Sequence, residues 1–175
     1  MPPHTLAQSD WFSIRIDSAG LEFVASTGDE VLVVALTDDG DVLLAVEPSP
    51  AFGTAVRILP GGQVEPELSL VDSANKELQE EIGYRAGRLD YLGELWPWAK
   101  YLAVRSHIFL ARELTPSKLP GDERYEVGVE RLPLDELETW IADGRLRDSR
   151  AIAGLFLART HHTPRQESKE AYHNT

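Results

Sequence analysis

The stretch GQVEPELSLVDSANKELQEEIGY, residues 62–84, decides how the rest of this 175-residue chain is read. Pro60-Gly61-Gly62 turns the backbone sharply just before it, and from Ser69 the pattern becomes helical. Leu70, Val71, Ala74, Leu78 and Ile82 form one apolar stripe, and Gly83 is the residue type that closes a helix. Stepping roughly 100° per residue from Leu78, Glu81 falls about 60° away, Glu77 about 100° and Glu80 about 160°. Three carboxylates fan over one flank, near enough to repel each other, and two of them sit at the margin of the core. Such a helix calls for positive charge, and oxygen donors at this density suit Mg²⁺ or Mn²⁺, hard ions that also accept phosphates as shared ligands. Taken alone, the helix leaves a blander alternative open: a solvated strip in which Lys76 and Glu80 form an ordinary i,i+4 pair.

Upstream of the helix the chain reads as strands. Residues 11–17 alternate apolar and polar, and a short strand at 21–25 follows a turn at Ser18-Ala19-Gly20. The continuous β-branched run at 31–36, the turn residues Asp38-Asp39-Gly40-Asp41 and the run at 42–46 make a central hairpin. Pro48, Pro50 and Gly53 mark a loop before a strand at 55–59. Downstream, strands are expected at 89–95, 102–112 and 125–131. Helices are expected at 134–142, after Pro133, and at 149–159, carrying Ile152, Leu155 and Phe156. Strands, a helix, more strands and then helices give an α+β fold, a mixed sheet with helices packed on it. Residues 1–10 read as a flexible lead, 11–159 as one domain, and 160–175 as a polar, disordered tail.

Composition narrows the function. Seventeen Lys and Arg against 29 Asp and Glu give a charge of −12, which argues against a nucleic-acid polymer as partner, because phosphates need a cationic face. A small phosphorylated substrate stays compatible if divalent cations stand between it and the carboxylates. The chain shows neither a long apolar span nor the basic and apolar blocks of a leader, so no membrane partner is expected. It contains no cysteine, which removes disulfides and thiolate chemistry and fits a reducing, cytoplasmic location.

Residues 62–84 resemble the Nudix box, a glycine loop followed by a helix ending in Arg-Glu-apolar-any-Glu-Glu-any-Gly-apolar. Gly62 matches the opening glycine, Glu77, Glu80 and Glu81 the three glutamates, Leu78 the apolar position and Gly83 the closing glycine, with no insertion. The resemblance implies an α/β/α sandwich and a metal site made by Glu77, Glu80, Glu81 and the carbonyl of Gly61. Two positions depart from the pattern. Leu68 stands where the box has a glutamate, leaving Glu65 or Glu67 to take its place, and Lys76 stands for the arginine. Lysine gives a single hydrated charge where arginine would give a planar two-point contact, so a slower or more metal-demanding enzyme is expected.

Outside the box, residues 10–159 look like the branch of the family that hydrolyses ADP-ribose and other ADP conjugates to AMP and a phosphorylated product. That resemblance implies a general base from an acidic loop, here Glu123 or Glu126, and a dimer formed through the N-terminal strands. Trp96, Trp98 and Tyr101 are candidates to stack on adenine, against the alternative that they are core anchors. Arg57, Lys100 and Arg105 are candidates for phosphate or ribose contacts. His107 reads as structural, and His161, His162 and His173 as solvated. Two rival readings remain. One is a hydrolase of nucleoside triphosphates or dinucleoside polyphosphates, and the other is a binding module that senses a nucleotide without cleaving it.

Overall fold

A run as apolar as 31–36 has no polar face to show to water, and the structure covers it on both sides. The computed structural model describes residues 4–121 and 124–162. Its elements are β1 (His4–Gln8), β2 (Phe12–Ile16), β3 (Glu22–Ser26), β4 (Glu30–Leu36), β5 (Asp41–Ser49), β6 (Thr54–Ile58), β7 (Gly61–Gln63), α1 (Leu70–Glu77), β8 (Tyr84–Leu95), β9 (Leu102–Ala103), β10 (Ser106–Pro116), β11 (Gly128–Pro133), α2 (Leu137–Ala142) and α3 (Ser149–His162).

The larger sheet runs β11-β5-β4-β10-β8, with β6 paired to β5 and β7 to β4. It is mixed, as expected: β10 is parallel to β4, and the other pairs are antiparallel. Because side chains alternate along a strand, β4 feeds two cores. Leu32, Val34 and Leu36 pack with Leu137, Trp140, Ala151 and Leu155 of α2 and α3. Val31, Val33 and Ala35 pack with Ala74 and Leu78 at the glutamate helix. Helices therefore lie on both faces, the α/β/α sandwich of the sequence reading. A second sheet, β1-β2-β3-β9, gathers the N-terminal strands.

Several expectations need correction. Residues His4–Gln8, read as part of a loose lead, form β1 on β2. The single strand expected at 102–112 is two, because Val24 and Ala25 of β3 take Leu102 and Ala103 into the small sheet while Ser106 onward joins the large one. One apolar run serves two sheets, which periodicity alone does not reveal. The strand expected from 89 starts at Tyr84, directly after Gly83, and α3 runs on to His162, past the point where the tail was placed. His173 and the rest of the tail lie outside the described residues. The turn at 60–62 leads into β7, laid against β4 so closely that a Cβ on Gly61 would stand 2.0 Å from the Val31 carbonyl oxygen.

Candidate active site

The glutamate helix starts where Ser69 caps it. The Ser69 hydroxyl accepts from the Asp72 N–H at 3.1 Å and donates to the Asp72 carboxylate at 2.6 Å, putting an acid in the first turn, where the helix dipole favours one. Ala74 and Leu78, both fully buried, seat the helix on the sheet. Its end departs from regular α geometry. Leu78–Ile82 forms a π turn in which the Gly83 N–H donates to the Leu78 carbonyl, and Gly83 closes it in the left-handed conformation with φ of 77°. This corrects the angular reckoning, which set Glu80 about 160° from the core on α-helical spacing. In the wider turn the Glu80 side chain is only 12% exposed, and Glu81 is buried.

Glu77, Glu80 and Glu81 line a cleft of about 250 Å³ together with Lys118, Tyr125 and Glu126. The glycine loop shapes that cleft. A Cβ at Gly62 would come within 2.6 Å of Glu77 Oε1, so only glycine leaves this carboxylate its place. Gly61, expected to offer its carbonyl to a metal, donates its N–H to Glu81 Oε2 at 3.0 Å.

Lys76 bridges the departures from the box. Its ammonium lies 2.8 Å from Glu65 Oε1 and 2.8 Å from Glu80 Oε2. The hydrogen bond it donates to Glu65, followed by that to Glu80, raises its pKa well above the usual lysine range. Of the two acids that could stand in at Leu68, both exposed, Glu65 makes this contact.

The segment after β10 is stitched to the helix end. Ser117 N–H donates to Gly83 O at 2.8 Å, Leu119 N–H to Gln79 O at 3.1 Å, and the Gln79 amide to Ser117 Oγ at 2.8 Å. Lys118 Nζ donates to the carbonyls of Glu80, at 2.6 Å, and Glu81, at 3.3 Å. Further along, Tyr125 OH donates to Glu47 Oε2 at 2.8 Å. Glu126 reaches the cleft, and Glu123 lies outside the described residues.

The remaining candidates are dispersed. Arg57, on β6, pairs with Glu130 at 2.7 Å and lies 5.9 Å over the Trp140 ring. Trp96 and Arg105 share a separate hollow of about 310 Å³ with Asp29. Arg105 there pairs with Asp29 at 3.6 Å and Glu94 at 3.9 Å. Trp98 and Tyr101 meet edge to face at 5.1 Å, with Lys100 5.0 Å over Tyr101. His107 sits in a structural setting, 3.1 Å from Tyr91 OH through Nδ1. Sequence reasoning missed Lys118. It stands between Pro116 and Pro120 without any motif, and only the fold brings it to a helix some forty residues earlier.

Oxygen donors around one cleft suit a hard divalent cation. Among the described residues, no three His, Cys, Asp or Glu side chains converge tightly enough to hold an ion as they stand. The reason is visible: Glu80 is turned to Lys76 and Glu81 to the Gly61 amide. The donor set fits the ion, and joint binding asks these two carboxylates to exchange partners.

Comparison with known proteins points to one family. A family model described as NUDIX domain matches residues 27–155. The chain is similar to the ADP compounds hydrolase NudE of Escherichia coli (strain K12), 29% identical over 168 residues, covering 89% of this chain and 88% of that protein. It is also similar to the ADP-ribose pyrophosphatase of Bacillus subtilis (strain 168), 29% identical over 101 residues and 55% of each chain. The methanol dehydrogenase activator of Bacillus methanolicus is 23% identical over 127 residues, 71% of this chain and 69% of that protein. A crystal structure of an ADP compounds hydrolase superposes with a TM-score of 0.75 at 26% identity, covering 92% of this chain and 94% of the other.

Proposed function

The chain belongs to the NUDIX domain family, and on that premise we propose that it is a pyrophosphohydrolase that splits the diphosphate linkage of ADP-ribose or a similar ADP conjugate, giving AMP and a phosphorylated product. The observation that carries this reading is the gathering of Glu77, Glu80, Glu81 and Glu126 around one cleft. Similarity to enzymes named for ADP compounds and ADP-ribose supports the substrate class.

Nudix hydrolases depend on divalent metal. Here the ion is Mg²⁺, with Mn²⁺ as substitute, and Glu77, Glu80, Glu81 and the Gly61 carbonyl would hold it. When bound, it supplies neutralisation of phosphate charge and a more acidic water. The chain's own residues do the rest. Gly62 leaves room for the Glu77 carboxylate, and Lys76 braces Glu80 from Glu65. Glu126 or Glu123 takes the proton of the attacking water. Trp96 and Arg105, which share one hollow, take the nucleoside side of the substrate, and Trp98, Tyr101 and Arg57 remain candidates outside that hollow. The protein works in the cytoplasm as a homodimer. That state is supported by the exposed Phe12 and Ile14 on the small sheet, with exposed Trp11 just before them, an apolar surface a second copy would cover.

The test is AMP release from ADP-ribose with Mg²⁺ and then Mn²⁺, comparing the wild type with Glu81→Gln. AMP from the wild type and none from the variant is expected. Binding of ADP-ribose without AMP in either metal would replace hydrolysis by nucleotide sensing.

A further inference from the structure

A diphosphate entering a cleft walled by four glutamates needs positive charge from the protein as well as from metal. Most cations near the site are already matched: Arg57 with Glu130, Arg105 with Asp29 and Glu94, Lys76 with Glu65 and Glu80. Lys118 differs. It lines the same cleft as Glu77, Glu80 and Glu81, and its ammonium rests on two main-chain carbonyls, those of Glu80 and Glu81. Among the described residues it forms no ion pair with a carboxylate. An ammonium has three N–H donors, and two carbonyls leave it one donor and its whole formal charge. The carbonyls at a helix C-terminus hold a cation well, so the charge is fixed beside the glutamates without being cancelled by them.

We propose that Lys118 is a substrate-binding residue of this enzyme, its ammonium donating to the substrate's diphosphate in the cleft while the Glu80 and Glu81 carbonyls hold it in place. The proposal rests on the hydrolase reading and replaces Arg57 and Arg105 as the main protein cation on the diphosphate. A purely structural role, capping the helix end, would make different demands, and the two separate experimentally.

Lys118→Met and Lys118→Arg are compared with the wild type in three measurements: turnover of ADP-ribose, calorimetric binding of inorganic pyrophosphate in Mg²⁺, and Mn²⁺ binding without nucleotide followed by electron paramagnetic resonance. Loss of one charged hydrogen bond predicts that Lys118→Met weakens pyrophosphate binding and lowers kcat/KM by about ten- to a hundredfold. Lys118→Arg recovers part of both, and Mn²⁺ affinity and melting temperature stay at wild-type values. Unchanged pyrophosphate binding in Lys118→Met overturns the proposal. So does a loss of Mn²⁺ affinity and melting temperature in step with activity, which would mark a helix cap only, and so does a wild type that does not bind pyrophosphate. Should the wild type release no AMP from ADP-ribose yet bind pyrophosphate, that binding still reads Lys118 while the substrate assignment falls.

Discussion

Gly62 and Glu77 show how much of the site depends on a missing side chain. A Cβ at position 62 would meet the Glu77 carboxyl group, with 2.6 Å to Oε1 and 2.8 Å to Cδ, so Gly62→Ala must displace it. We expect kcat/KM for ADP-ribose to fall by about tenfold or more with little change in melting temperature, since a small shift of a positioned ligand is costly to rate but not to fold. Wild-type activity in Gly62→Ala would show that Glu77 does not need this place. The glycines and the three glutamates were legible in the sequence, because their spacing along the chain is itself the signal. The bracing of Lys76 by Glu65 was not. Glu65 and Glu67 flank the same proline, and only the path of the loop over α1 decides which one reaches the ammonium.

Between elements, the pairing of β8 with β10 carries the ion cluster of Asp90 with Arg112 and Arg88. The Arg112 guanidinium, then that of Arg88, holds the Asp90 carboxyl below the ordinary aspartate value of 3.8. A depressed pKa in the fold means that the unfolded chain takes up the proton first as the solution is acidified. The stabilisation is therefore complete well above pH 3.8 and drains away as pH falls below it. Asp90→Asn should melt lower than the wild type at about pH 6, and the gap should narrow towards about pH 3; a gap independent of pH would remove Asp90 from the acid limb. At this scale the hairpin of β4 and β5, α1 and α3 were readable from periodicity and turn residues. The π turn at the end of α1 was not, because its residues satisfy a helical pattern equally well. Nor was the division of residues 102–112 between two sheets, which depends on partners distant in sequence.

For the whole molecule, the small sheet is the part least occupied by its own chain. Ile14 faces the same way as Phe12 and stands opposite Val24, and Ile14 and Phe12 are 43% and 48% exposed. Ile14→Asp puts a charge into that surface. Sedimentation should show a dimeric wild type and a monomeric variant, both folded; a wild type that sediments as a monomer would end the homodimer reading. The two-sheet arrangement also sets where the gene is free to change. Surface connections such as that between β2 and β3 can gain or lose codons at little cost. The π turn cannot, since it is an α-helix carrying one residue more than its register allows. Deleting a single codon between Leu78 and Ile82 would return the helix to ordinary winding and swing Glu80 and Glu81 out of line with the cleft. In those five positions mutation is barred from changing length as well as the identities of Glu80 and Glu81.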